Sequence, residues 1–327
     1  MNEFLSCDWG TSSFRLNLVT KVDFSIILSE SSDKGILGTF NTWKETLGGQ
    51  PETRLSFYLA IILENIDALE QQSGRSLAGI PVLISGMASS SIGMIPLPYQ
   101  DLPFSIDGSG MLCQFLPKIN DFKHDIFLIS GARSLNDVMR GEETQLVGII
   151  PETLSHTGDQ LFIFPGTHSK HILVNNGSVT HFKTFMTGEF FDLLATKSIL
   201  HAGIEKSGEL ETAMDIKYFE QAVKEGATTN LLNISFRVRT NALFDLLTPK
   251  QNYHYLSGLL IGAELGEILQ NDTIRIYLCC GRHLKKYYET ALEVLGMKDK
   301  VHTFPAEEVE KAALKGQYKI YEKQIKR

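Results

Sequence analysis

Two segments far apart in the chain share one pattern. Residues 4–19, F-L-S-C-D-W-G-T-S-S-F-R-L-N-L-V, place an Asp, a Gly and three hydroxyls between two alternating apolar runs. Residues 161–174, L-F-I-F-P-G-T-H-S-K-H-I-L-V, repeat the apolar run, a G-T-x-S turn and a strand-like exit. Period-two alternation reads as β-strand, and glycine with small hydroxyl residues permits the turn between. Aligning Gly10 with Gly166 also brings Gly35 and Gly188 into corresponding places, each after a third apolar run. Such an internal repeat in 327 residues predicts an α/β protein of two lobes, since single cores usually stop growing before that size. The expected division is 1–150 and 151–327, with Pro151–Gln160 as the crossing and with the last helix returning to the first lobe as an alternative.

Between the repeats lie three short apolar runs that each end at a glycine. They are P-V-L-I-S before Gly86, I-F-L-I-S before Gly131 and I-Y-L-C-C before Gly281. These resemble buried parallel strands, and ligands of open α/β sheets collect beyond such strand ends. Strands are also expected at 24–28 and 179–185. Helical spacing of apolar residues predicts helices over 54–72, 193–200, 218–227, 256–269, 285–295 and 307–314. Residues 39–53 read as a polar stretch, and the charged tail from Lys315 as frayed. Gly258, Gly262 and Gly266 line one face at four-residue intervals, open to a flat ligand or to another helix.

Composition narrows the partners. A net charge of -7 argues against nucleic acid as a mainly electrostatic partner, and 43% hydrophobic with 21% charged residues is ordinary for a globular protein. Cys7, Cys113, Cys279 and Cys280 form no C-x-x-C pair, which fits a reducing compartment without a disulfide framework or zinc site. The first residues, M-N-E-F-L-S-C-D, show no basic-then-apolar leader, and no apolar run reaches spanning length. The expected location is the cytoplasm, without membrane contact.

Four stretches carry candidate chemistry. The turn Asp8–Ser13 can present backbone N–H groups and the hydroxyls of Thr11, Ser12 and Ser13 to phosphate oxygens, while Asp8 holds a hydrated magnesium ion. A plain hairpin turn has the same composition, and no G-K-[ST] follows to make a P-loop. The second turn, Gly166, Thr167, His168, Ser169 and Lys170, adds a cation, although Lys170 could equally be a solvated surface residue. Its pairing with the first turn is what points to a nucleotide. In V-M-R-G-E-E-T-Q, Glu142 or Glu143 could act as a general base and Arg140 could bind an acid's carboxylate. The alternative is an ordinary acidic helix start. Finally, Gly86–Tyr99 can wrap a polyol or be an exposed connector, and Asp137 and Asp192 remain as reserve carboxylates.

Together these stretches resemble one family. D-W-G-T-S-S-F-R from Asp8, G-M-A-S-S-S-I-G-M followed by Pro98 and Tyr99, D-V-M-R-G-E-E-T-Q-L-V-G from Asp137, F-P-G-T-H-S-K from Phe164, F-M-T-G-E from Phe185 and L-S-G-L-L-I-G-A-E from Leu256 are similar, in the same order, to the 2-dehydro-3-deoxygalactonokinases. The resemblance implies the actin, sugar kinase and Hsp70 superfamily, with two ribonuclease-H-like lobes and an active site in the cleft between them. It implies transfer of the ATP γ-phosphoryl group, with Mg2+, to the 6-hydroxyl of 2-dehydro-3-deoxy-D-galactonate. Asp8, Gly10, Thr11, Ser12 and Ser13 with residues 166–170 would hold the phosphates, and Gly258, Gly262 and Gly281 would lie near the adenosine. The sugar acid would meet Gly86, Met87, Ala88, Ser89, Ser90, Tyr99, Arg140, Thr187, Gly188 and Glu189. Glu142 is the first choice of base, with Glu143 or Asp137 in reserve. Ser89–Ser91 and Met94 stand where the family pattern has G-S-N and a tryptophan, and His171 replaces a second aromatic, so the substrate wall departs from the pattern. A kinase for another 2-keto sugar acid, a phosphohydrolase of the superfamily and a non-catalytic nucleotide-binding module remain as alternatives. A homodimer stays open.

Overall fold

The structure is a computed structural model and describes residues 2–119, 121–151, 158–269 and 274–325. It divides into two compact units. The first holds residues up to 151 together with 177–181 and the C-terminal segment from Glu307 onward, and the second holds 158–176 and 182–306. Most of the expected crossing at Pro151–Gln160 lies outside the described residues.

In the first unit, β1 (Glu3–Trp9), β2 (Phe14–Thr20) and β3 (Ile26–Ser32) form a meander, followed by α1 (Ile36–Leu47), α2 (Pro51–Ser73) and β4 (Val82–Gly86). The short strands β5 (Gln100–Asp101) and β6 (Phe104–Ser105) precede β7 (Cys113–Leu116) and β8 (Ile126–Ile129). The small hairpin of β9 (Ala132–Arg133) and β10 (Val138–Met139) then leads into α3 (Glu142–Ile149). The main sheet has the order β3-β2-β1-β4-β8-β7, with β1 antiparallel to β2 and parallel to β4. As a central strand, β1 buries Phe4, Leu5, Ser6 and Cys7 in succession, the two-sided burial expected of a strand covered on both faces. Helix α2 starts with proline and ends at Gly74 in the left-handed conformation, and Tyr58, Ile62, Ile66 and Leu69 face the core.

The second unit repeats this plan. Here β11 (Asp159–Phe164), β12 (Ser169–Asn175) and β13 (Ser178–Phe185) are followed by α4 (Thr187–Thr196), α5 (Ala213–Thr228), the short α6 (Leu231–Ile234) and α7 (Arg237–Leu243), and α8 (Pro249–Gly266). The chain continues through β14 (Arg275–Leu278), α9 (Arg282–Val294) and β15 (Val301–Thr303). The order β13-β12-β11-β14-β15 matches β3-β2-β1-β4-β8, with β11 again antiparallel to its hairpin partner and parallel to β14. After α10 (Ala306–Glu310), α11 (Ala312–Ile325) closes the chain.

Three expectations need correction. The polar stretch 39–53 is largely helical, because Ile36, Thr39 and Trp43 fall on one buried face of α1. The expected strand at 24–28 is displaced to β3, since Phe24 takes a left-handed turn conformation (φ 55°). The tail from Lys315 is ordered as α11, which buries Leu314, Gly316, Gln317 and Ile320 in the first unit. Gln317 Nε2 donates to the carbonyl of Cys7 at 2.9 Å and to Ser85 Oγ at 2.8 Å, tying α11 to β1 and β4.

Helices α3 and α11 cross where neither has a side chain. A Cβ on Gly316 would stand 1.8 Å from the Thr144 carbonyl oxygen and 3.1 Å from Gly148 N. Gly316→Ala is therefore expected to push the helices apart and lower stability by about 1–3 kcal/mol, the usual cost of overpacking. Denaturant midpoints measure it, and an unchanged midpoint would contradict the close crossing.

Candidate active site

Each unit builds a hairpin turn onto the start of a helix. In the first, Gly10 N donates to Ser13 O at 2.9 Å, while Ile36 N and Leu37 N of α1 donate to Gly10 O at 2.9 Å and Thr11 O at 3.1 Å. A Cβ on Gly35 would lie 2.4 Å from Thr11 O, so only glycine admits the contact. Thr11, Ser12 and Ser13 remain exposed. In the second, Glu189 N of α4 donates to Thr167 O at 3.1 Å, and a Cβ on Gly188 would lie 2.6 Å from Gly166 O. Gly35 and Gly188 thus do the same job. The helix expected at 193–200 begins earlier, at Thr187, because Gly188 belongs to its first turn.

The first turn is continuous with a carboxylate cluster. Asp8 pairs with Ser85 across β1 and β4, and a Cβ on Gly86 would stand 3.4 Å from Asp8 Oδ1. Gly141, just before α3, lies against Gly86, its ideal Cβ position 3.7 Å from Gly86 Cα. Burial pushes the Asp8 carboxyl above its ordinary pKa; Arg15 pulls it down, and the neighbouring charge of Glu142 pushes it up again. Glu142, half-buried at the first turn of α3, accepts a hydrogen bond from Arg140 N at 3.1 Å. Glu143 is buried and accepts from Gly141 N at 2.9 and 2.8 Å and from Thr144 Oγ1 at 3.0 Å. Burial, reinforced by Glu142, raises its pKa from 4.5 to about 7 despite these donors. Asp137 instead turns the β9–β10 hairpin, accepting from Val138 N at 2.7 Å, and Asp192 is exposed on α4.

The loop after β4 is pinned in place. Arg54 donates to Gly93 O and Ser91 O at 2.7 and 2.6 Å, and Tyr58 to Ile92 O at 2.6 Å. Ala88, Ser89, Ser90 and Met94 are buried, which excludes a simple exposed connector; Met87 is half-buried. Arg140 donates to Ser89 Oγ, and its guanidinium carbon sits 4.2 Å from the centroid of the Tyr99 ring. Ser89 in turn donates to Ile129 O at 2.8 Å. Arg140 Nε and Ser90 Oγ are buried without a hydrogen-bond partner among the described residues.

The second unit contains a cavity of about 710 Å³. Gly166, Thr167, Thr187 and Gly188 form one end, and Lys206–Glu209, Tyr253, Ser257, His283 and Tyr287 line the rest. Thr187 and Gly188, expected on the sugar-acid wall, therefore lie with the second turn, and Glu189 pairs with His168 at 2.5 Å. Lys170 is buried, not a solvated surface lysine, and donates to His168 O at 3.0 Å. Gly258 and Gly262, expected beside the adenosine, face α5: their Cβ positions fall 2.5 Å from Phe219 O and 2.2 Å from Val223 O. Gly281 caps α9, next to His283 of the cavity wall.

One residue was missed. Glu264 on α8 is 2% exposed and accepts from Ser169 Oγ at 2.7 Å, His171 Nε2 at 2.9 Å, Tyr288 OH at 2.8 Å and Thr187 Oγ1. Burial would raise its pKa, but the His171 contact, with Thr187 and Ser169, holds it below the ordinary carboxylate range. The signal was available: it is the one acid inside the apolar L-I-G-A-E-L run.

Residues 8–320 match the sequence profile of the 2-keto-3-deoxy-galactonokinases. The chain belongs to this family. A relative from Rhizobium meliloti (strain 1021), described as a probable 2-dehydro-3-deoxygalactonokinase DgoK1, is 30% identical over 319 residues, 95% of both chains. The 2-dehydro-3-deoxygalactonokinase of Escherichia coli (strain K12) is 31% identical over 223 residues, 66% of this chain and 71% of its own. A crystal structure from Sinorhizobium meliloti, described as a putative 2-dehydro-3-deoxygalactonokinase protein, superposes with a TM-score of 0.77 at 28% identity over 97% and 95% of the two chains. The family membership makes the chain a phosphotransferase with an alcohol acceptor, and its two matching α/β units are those of the actin-like ATPase fold. No helix among the described residues is long and apolar enough to cross a membrane.

The kinase family implies a divalent cation. Among the described residues no group of three His, Cys, Asp or Glu side chains is placed to hold a metal ion. Magnesium needs fewer, since it keeps several waters and takes one or two carboxylates plus substrate phosphates. Asp8, with Glu142 close enough to raise its pKa, meets that requirement, because a cation relieves the repulsion of the two carboxylates.

Glu143 makes the carboxylate cluster testable through pH. The folded protein keeps its proton up to about pH 7, while an unfolded glutamate loses it near 4.5. Its contribution to stability therefore falls as pH rises through that window, and the full penalty applies above it. Glu143→Gln keeps an acceptor for Gly141 and Thr144 but cannot ionise. Its melting temperature relative to wild type is expected to rise between about pH 5 and about pH 8, by several degrees. A pH-independent difference would contradict the raised pKa.

Proposed function

We propose that this family member transfers the γ-phosphoryl group of ATP to the 6-hydroxyl of 2-dehydro-3-deoxy-D-galactonate. The observation that carries this reading is the convergence of Arg140, Glu142, Asp8 and the pinned loop from Gly86 within one unit. In this reading the first unit takes the sugar acid and the second takes the nucleotide. Arg140, flattened against Tyr99 and held by Ser89, offers a planar fork to the sugar-acid carboxylate. Gly86, Met87, Ala88, Ser89 and Ser90 supply the wall along which the hydroxylated chain lies.

Glu142 acts as the base. As the substrate oxygen forms its bond to the γ-phosphorus, the bond to the ADP oxygen breaks and its electron pair leaves with ADP. The hydroxyl proton passes to the Glu142 carboxylate. Glu143 is already committed to Gly141 and Thr144, so its part is to shape the loop that presents Glu142. Exposed donors of the first turn, with the positive dipole end of α1 behind them, favour phosphate oxygens. A magnesium ion held through water by Asp8 would neutralise charge on the transferring group. In the second unit, the aromatic and small residues of the cavity accommodate the nucleoside, and the turn at Gly166 meets its phosphates. The free, mostly buried cysteines suit a reducing cytoplasm.

The test is mass spectrometry of products from ATP, magnesium and a panel of 2-keto-3-deoxy and 2-keto sugar acids, with wild type and Glu142→Gln. Wild type is expected to phosphorylate the galactonate derivative. The variant should lose about a hundredfold or more in kcat, with KM for ATP little changed, the size of a general-base effect. ADP without any phosphorylated acid would contradict the kinase reading, and near-normal turnover in the variant would remove Glu142 from its role.

A further inference from the structure

The residue that no part of this mechanism uses is Glu264. We infer that Glu264 is a positioning residue for the nucleotide: one buried carboxylate that sets the second turn, the start of α4 and α9 in register with one another. The inference rests on the reading that the second unit's cavity holds ATP.

The geometry assigns this role because of where the four donors originate. Ser169 and His171 belong to the start of β12, immediately after the turn; Thr187 opens α4; Tyr288 lies on α9. Oxygen Oε1 accepts from Ser169 at 2.7 Å and His171 at 2.9 Å, while Oε2 accepts from Thr187 and from Tyr288 at 2.8 Å. Both oxygens are therefore shared between elements. A buried carboxylate is costly unless fully hydrogen-bonded, and removal of this acceptor would leave the buried donors of Ser169, His171 and Tyr288 unpaired. All four hydroxyl or imidazole donors are thus held in one orientation.

Glu264 does not itself line the cavity, but Thr187 and Tyr288 do, beside Gly166, Thr167 and Gly188. It stands one side chain behind the wall. The Thr187 hydroxyl, expected at the sugar acid, is committed to Glu264 and serves the turn. The contact of Gly188 with Gly166 fixes how closely α4 approaches the turn, and Glu264 fixes its lateral position. Displacing a phosphate-binding turn by a fraction of an ångström weakens ground-state binding of the nucleotide and leaves the separate acid site unaffected.

Steady-state kinetics with ATP and the sugar acid varied independently tests this. Glu264→Gln, which turns one acceptor oxygen into a donor, is expected to raise KM for ATP about tenfold or more and to change KM for the acid less than about twofold. Thr187→Val, which removes one donor and is expected to fold even if Glu264→Gln does not, should raise KM for ATP about threefold or more. A third variant, Ser257→Trp, fills the cavity away from Glu264. If it leaves ATP binding intact, the nucleotide reading fails and the positioning role fails with it. If it abolishes ATP binding while Glu264→Gln and Thr187→Val leave KM for ATP unchanged, the positioning role alone is overturned. Equal shifts in both KM values, or lower thermal stability with neither KM altered, would reduce Glu264 to a structural part of the unit and overturn the inference.

Discussion

The contact on which each unit depends is the seat of a hairpin turn on the first residues of a helix, where a glycine leaves room for backbone against backbone. Gly35 under Thr11–Ser12 and Gly188 under Gly166–Thr167 are the two instances. The contact commits N–H groups of the helix start to carbonyls of the turn, Ile36 N and Leu37 N to Gly10 O and Thr11 O and Glu189 N to Thr167 O, and sets the turn over the positive dipole end of the helix, which favours an anion. A methyl group at either glycine would occupy the space of a backbone oxygen or carbon. In the proposed reading, phosphate recognition is therefore set by packing before any charged side chain is considered.

Charged groups then take different roles because their surroundings differ. Glu142, Glu143 and Asp8 are all carboxylates at the end of one sheet. Glu143 is buried and pushed toward the neutral form, whereas Glu142 is half-buried beside Asp8. In the second unit Glu264 is buried as Glu143 is, yet its donors hold it in the ionised form. Burial alone does not decide protonation; the number and kind of donors does.

The duplicated architecture was legible because two apolar runs joined by a small-residue turn recur in each half and because Gly10, Gly166, Gly35 and Gly188 recur at matching places. The carboxylate pair and Arg140 were legible as a charge cluster, though their arrangement depends on Gly86 and Gly141 meeting, which one-dimensional spacing does not contain. Helix α1 was hidden by its polar surface, since its three buried positions include a threonine. Gly258 and Gly262 admitted either a ligand or a helix, and the neighbour that decides the matter, α5, lies some forty residues earlier in the chain. Glu264 was overlooked for a related reason: its four partners come from three segments, none adjacent to it in sequence. The ordering of the charged tail depends on the glycines at the α3–α11 crossing, which look unremarkable until the helices are brought together.

The central claim is that the seated turn of the second unit holds the phosphates of the nucleotide. Calorimetric titration of a non-hydrolysable ATP analogue and of adenosine into wild type and Gly188→Ala tests it most directly. Because the added methyl would meet Gly166 O at 2.6 Å, the variant is expected to bind the analogue about tenfold or more weakly. Adenosine, which lacks phosphates, should bind both proteins alike. Equal weakening of the two ligands, or none of either, would contradict the account.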